Sequence, residues 1–367
     1  MVVWLALVFA LPVHAQDGEA QELTQNLYEK SGAGAMYDAL DDETKENLGR
    51  AGVRSSQDIM DGGVSGKSLL TAVSEMLADK TRAPLKAVLG ILVTVILCRM
   101  CAGFENDGLS QTASLVGAFA AAGMVIVPLI RLIATLKTVL QTASGFLLAA
   151  TPVYAGLLAA SGKVQTGASY AVLTMGAGQL LSVISTALII PLLNIFLALS
   201  MVSAISEMNL QPMTESLYSF SKWLLVLLVT FFTGALSLQT VLQSQMDGMS
   251  EKAVKWLASS AIPIVGGAIG DSLSIVAGGI QLVKSGVGAF GILASLLIFL
   301  PLLIETLLWS LVCGAGKIMA DLFECTPVGQ FMTSCMAVTK MLAAVLISVC
   351  AVCVVSASVV IAVRAGP

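Results

Sequence analysis

Histidine and charge are scarce in this chain. Its one histidine among 367 residues is His14, inside an apolar leader, so neither histidine acid–base chemistry nor a histidine-ligated metal has residues to work with. Charged residues make up 11% of the chain, against roughly 25% in a soluble domain. With 57% hydrophobic residues and a mean hydropathy of +0.90, the composition is that of a polytopic membrane protein. The net charge of −4 lacks the clustered lysine and arginine of a nucleic-acid footprint. The seven cysteines, at 98, 101, 313, 325, 335, 350 and 353, all lie in or beside apolar stretches, which excludes a disulfide framework for the polar part.

The charges that are present are unevenly placed. Residues 16–83 hold 13 of the 23 acids and 7 of the 19 bases, leaving 22 charges for residues 84–367. The expected organisation is a signal peptide over 1–15, an acidic helical extracytoplasmic segment over 16–83 and a membrane domain over 84–367. The leader ends in the small-residue pattern Val13-His-Ala15 but has no positive start, so it reads either as a cleaved signal or as an uncleaved short anchor. Within the polar segment, Asp61-Gly-Gly-Val-Ser-Gly-Lys67-Ser68 imitates a phosphate-binding loop. Gly62 sits one residue too close to the Gly-Lys-Ser and no apolar strand precedes it, so the stretch reads as a glycine-rich turn before a helix starting at 66.

Sized against the ~20 residues that cross a bilayer, the apolar runs predict spans near 84–103, 113–134, 138–160, 169–202, 222–242, 257–283, 288–313 and 338–363. The fold class is therefore all-α, a polytopic helical membrane protein with about seven or eight transmembrane helices. The 169–202 run is too long for one upright helix and is bent at Pro191 or tilted. Residues 314–337 read as an amphipathic surface helix ended before Pro327.

Two apolar stretches carry helix breakers. In the first, Pro152 is followed by Gly156, Ser161-Gly162 and Lys163; in the second, Pro263 is followed by Gly266, Gly267, Gly270, Asp271 and Lys284. Paired interrupted segments in two halves of a chain point to a transport-type site, while Gly266 and Gly270 also have the spacing of close helix packing. Asp271 and Glu305 lie deepest in apolar sequence and must face protein or water; the alternatives to a pathway role are a position near the interface for Asp271 and pairing with Lys284 or Lys317 for Glu305. The CxxC pairs, Cys98/Cys101 and Cys350/Cys353, read as small buried hydrophobes. No catalytic set can be assembled, and no cofactor or metal is expected.

The stretches Ser144-Gly-Phe…Thr-Pro-Val-Tyr…Ala-Ser-Gly162 and Ile262-Pro-Ile-Val-Gly-Gly…Asp-Ser…Gly-Gly-Ile…Lys-Ser-Gly-Val-Gly288 resemble the stage III sporulation protein AE family of endospore formers. The resemblance implies a polytopic, non-enzymatic subunit of a channel complex in the mother-cell (outer forespore) membrane, its N-terminal segment facing the intermembrane space. It also implies partners: ring-forming subunits and a separate ATPase subunit, within membrane lipid. No functional residues carry over from the family. A non-conducting scaffold for ring-forming partners and an independent ion-coupled permease are the alternative functions.

Overall fold

In the computed structural model, residues 18–60, 66–102, 107–205, most of 212–235, and 266–363 are described. The leader and Pro263 lie outside them. The described residues form helices and no strand: α1 Gly18–Ser31, α2 Gly34–Asp38, α3 Asp42–Arg50, α4 Ser56–Met60, α5 Gly66–Ala102, α6 Asp107–Ala160, α7 Val164–Ile184, α8 Ile190–Ile205, α9 Glu215–Ala235, α10 Gly266–Leu322 and α11 Thr326–Ala362. Five of these, α5, α6, α9, α10 and α11, contain stretches long and apolar enough to cross a membrane. The all-α membrane class holds.

Helix continuity departs from the sequence reading. The spans expected at 113–134 and 138–160 fuse into the 54-residue α6, and 266–313 runs unbroken within the 57-residue α10. Pro152 leaves one carbonyl without its usual amide partner but does not interrupt α6, just as Pro84, Pro128 and Pro301 sit inside their helices. Away from water the remaining backbone bonds have no competitor, and neighbouring helices absorb the local defect. At Pro191 the expected irregularity is present: a π-helical turn at Ser185–Ile189 separates α7 from α8. Pro327 opens α11 instead of ending a surface helix, because the first helical turn has no intrahelical use for its missing N–H.

Helices α10 and α11 form a central antiparallel hairpin whose turn places Glu324 at φ 60°. Two glycines let the hairpin close on itself and on α6. A Cβ on Gly288 would stand 2.4 Å from Ile361, and one on Gly291 would stand 1.7 Å from the Tyr154 hydroxyl of α6. Helices α5 and α6 pack beside the hairpin, and α7 and α8 return along α6. The polar N-terminal helices join the same core: Met36, Leu48 and Val53 are fully buried within it, and Tyr37 meets Phe290 with ring centroids 6.5 Å apart.

Two ion pairs bracket an apolar band. Lys80 of α5 meets Glu305 of α10 at 3.3 Å, and Arg99 of α5 meets Glu324 at 2.9 Å. On α5 these positions are 19 residues apart, or about 28 Å of helix, close to the ~30 Å hydrocarbon thickness. Between the pairs, Leu89, Val93 and Leu97 of α5, Phe119 and Val127 of the early part of α6, and Leu307 and Leu311 of α10 are exposed. Inside the exposed Lys86 at one edge and the Lys317–Asp321 pair at the other, this belt of bulky apolar side chains is a surface for lipid.

Candidate functional site

The residues singled out by sequence fall into three places. Lys163 and Lys284 come together at one end of the bundle. Gly162, at φ 80°, turns the chain from α6 into α7, delivering Lys163 close enough to Lys284 for their charges to interact. The Lys284 side chain is fully buried and its Nζ donates to the Val363 carbonyl at the C-terminal cap of α11, where a cation complements the helix dipole. The lysines of the two glycine- and proline-bearing stretches therefore share a neighbourhood that sequence spacing alone could not assign.

Glu305 lies at the other end of the α10 core, 21 residues or about 31 Å of helix from Lys284. Its partner is Lys80, not Lys284 or Lys317; the latter pairs with Asp321 one helical turn away. Lys80 also reaches Glu43 of α3 at 3.8 Å. Two carboxylates from elements far apart in sequence thus converge on one ammonium. Sequence reasoning missed this because Lys80 and Glu305 are separated by 225 positions.

The third place is the outer face of α6. Pro152 and Gly156 are exposed there, continuing a line formed by Arg131, Thr138, Gln141 and Gly145. Gly266, Gly267, Gly270 and Asp271 lie in the first turns of α10, all within continuous helix.

The cysteines form unexpected partnerships. Cys98 contacts Cys325 at the end of the bundle held by Arg99–Glu324, and Cys313 of α10 contacts Cys335 of α11, so neither contact follows the CxxC spacing. Cys98, Cys313, Cys325, Cys335, Cys350 and Cys353 are free thiols. Burial is the main cause that pushes the Cys325 thiol up to about 11, with the neighbouring Cys98 adding to it. Among the described residues no group of three or more metal-ligating His, Cys, Asp or Glu side chains was found.

Comparison with known proteins bears on this architecture. The chain is 25% identical over 154 residues to the stage III sporulation protein AE of Bacillus subtilis (strain 168). That alignment takes in 42% of this chain and 39% of the relative, so the chain spans about two-fifths of the length of the curated relative it matches. No solved structure matches it. The family described as Stage III sporulation protein AE matches residues 56–366, which include α5 to α11 and both stretches noted in the sequence. An apolar helical bundle bounded by interhelix ion pairs and matched over most of its length makes this chain a member of the stage III sporulation protein AE family, a membrane protein with a role in sporulation.

Proposed function

We propose that this protein is the polytopic membrane subunit of a channel or transport complex between mother cell and forespore. In this reading it sits in the mother-cell (outer forespore) membrane with its N-terminal helices toward the intermembrane space. Its partners are ring-forming subunits and a separate ATPase subunit.

The observation that carries the reading is the outer face of α6 beyond Ile130. Arg131, Thr138, Gln141, Gly145, Pro152 and Gly156 are exposed on a helix too long to lie wholly in lipid. A polar and small-residue face suits water or another protein better than hydrocarbon. The path would run along this face, with Lys163 and Lys284 at one end and Asp271, Gly266, Gly267 and Gly270 on the approach to it. The reading asks no chemical step of the chain.

A second reading has its own support. The interior is filled by Leu129, Phe146, Phe196, Phe290 and Phe331, and its buried hydroxyls, such as Thr151 and Ser295, bond to carbonyls one turn back. A single dry core suits a scaffold that anchors ring-forming partners and conducts nothing. An independent permease needs an accessible path within one copy, which this packing does not favour.

Single cysteines placed at 138, 141, 145, 152 and 156, and across 260–288, in a cysteine-free background test the choice in native sporulating membranes. Reaction of the α6 positions with a water-soluble thiol reagent, blocked when partner subunits are present, supports the pathway. Uniform protection with and without partners overturns it. Solute uptake by the protein alone in vesicles would instead establish the permease.

A further inference from the structure

The two edges of the apolar belt differ in how their bases are used. At one edge Arg99 and Lys317 are each paired, with Glu324 and Asp321. At the other, Lys80 is held by Glu43 and Glu305. Beside it Arg82, Lys86 and Arg131 are exposed and, among the described residues, form no ion pair.

Packing brings these three bases together. Helices α5 and α6 run antiparallel: a Cβ on Gly90 would stand 2.7 Å from the Met124 sulfur, and one on Gly117 would stand 3.2 Å from that of Cys98. Further along the same pair of helices, Lys80 and Thr135 line one small cavity, together with Asp41 and Glu305. All three meetings share one register, which sets Arg131 level with Ala83 and Pro84, between Arg82 and Lys86. The bases also share a face. Lys86 stands one turn before Gly90 and Arg82 one turn before that, while Arg131 stands two turns beyond Met124. Ala83 and Ala134, exposed beside them, add only methyl groups, so the bases line a shallow trough between the helices.

No carboxylate neutralises the trough. The nearest acid on its face is Asp79, one turn before Arg82, and Arg50 reaches that group at 3.7 Å. Glu75 lies a further turn away from the belt. A single base at a membrane edge extends its head into water. Three that converge without partners form a basic pocket between helices at headgroup level, and guanidinium groups match phosphate oxygens bidentately. Toward the belt, Leu89, Met124 and Val127 are exposed and offer a track for an acyl chain.

We infer that the trough between α5 and α6 binds the phosphate headgroup of an anionic phospholipid. The lipid, and not a free phosphate, is the occupant because the bases stand where the apolar belt begins. The site uses the outer face of α6 only at Arg131, its membrane end, and holds for a channel subunit and for a scaffold alike.

The test is native mass spectrometry of the full chain in neutral detergent, titrated with phosphatidylglycerol, phosphatidylcholine or glycerol 3-phosphate. Phosphatidylglycerol should bind about tenfold or more tightly than phosphatidylcholine, and glycerol 3-phosphate should not displace it at matched concentration. Arg82→Gln with Arg131→Gln should abolish the preference. Arg99→Gln with Lys317→Gln, which removes as much charge from the opposite edge, should keep it. If the Arg82 and Arg131 double variant does not fold, Lys86→Gln alone should still lower the preference severalfold. Equal binding of the two lipids overturns the inference, as does displacement by glycerol 3-phosphate. A preference unchanged in both trough variants, or lost equally in the opposite-edge variant, also overturns it.

Discussion

The two parts of α6 on either side of Ile130 share one continuous helix and nearly the same apolar composition, yet they present different surfaces. Among the described residues, those exposed before Arg131 are Val116, Phe119, Ala120, Gly123, Met124, Val127 and Ile130; from there on they are Arg131, Ala134, Lys137, Thr138, Gln141, Gly145, Pro152, Gly156 and Ala160. The helix is about 81 Å long, more than twice the hydrocarbon thickness, and even a 40° tilt leaves it too long for lipid alone. A helix that was lipid-facing throughout would keep bulky apolar residues on its outside. The change at Arg131 falls near the level of the Lys80–Glu305 pair, since Thr135 lines the same cavity as those two residues. Belt and ion pairs therefore mark the same boundary from different helices.

The comparison can be broken most directly by placing a charge on each side of the boundary. Val127→Arg should cost about 2.5–3.5 kcal/mol of insertion free energy and reduce membrane accumulation sharply, while Gln141→Arg should be nearly neutral. Equal losses by membrane fractionation would mean that both parts of α6 face lipid.

Beyond the boundary the packing is closest where Tyr154 meets Gly291. Gly291→Ala should lower stability by about 1–3 kcal/mol, because the added methyl meets a fully buried ring. The Tyr154 hydroxyl is buried without a partner, so Tyr154→Phe should be tolerated and should recover much of the loss in the double variant. Additive losses in a thermal-unfolding cycle would show that the contact is not what makes glycine necessary.

At the two ends of the belt, Glu305→Gln and Arg99→Gln should each cost no more than about 1 kcal/mol, because both ion pairs are partly exposed. Larger losses in urea-dependent unfolding would move these groups out of contact with water.

The smallest effect concerns Cys325, beside Arg99 at the far end of the belt. With the thiol near 11, the reactive thiolate is a minor species at pH 7–8 and grows as pH rises toward 11. Maleimide labelling of a variant keeping only Cys325 should be slow at neutral pH in the folded protein and fast after denaturation. Because Cys98 is absent there, folded-state labelling should also rise somewhat earlier with pH than in a variant keeping both thiols. Rapid labelling at neutral pH would show that this end of the belt is open.

Much of the fold was legible because its causes are local. Apolar runs near 84–103 and 338–363 name α5 and α11, and the scarcity of charge names the solvent. The excess of helix breakers after Pro152 misled for a local reason as well: proline and glycine are read with water as the competitor, and helices shielded by neighbours keep their bonds. The gap between the spans expected at 113–134 and 138–160 suggested a connection, but Arg131 and Lys137 sit on an outer face and interrupt nothing. At the candidate sites, Lys163, Lys284 and Glu305 were visible as anomalies in apolar sequence. Their partners were not, because Val363, Lys80 and Glu43 are ordinary residues at distant positions.

By itself the sequence determined the all-α membrane class, the acidic segment ahead of it and the family resemblance, since composition, hydropathy and short motifs need no partner to be read. Tertiary structure decided that α6 and α10 are single long helices and that Lys163 lies beside Lys284. It also decided that Asp41, Lys80 and Glu305 line one cavity. Each of these depends on which surfaces face water, lipid or another helix, and that is set only when elements hundreds of residues apart in sequence pack together.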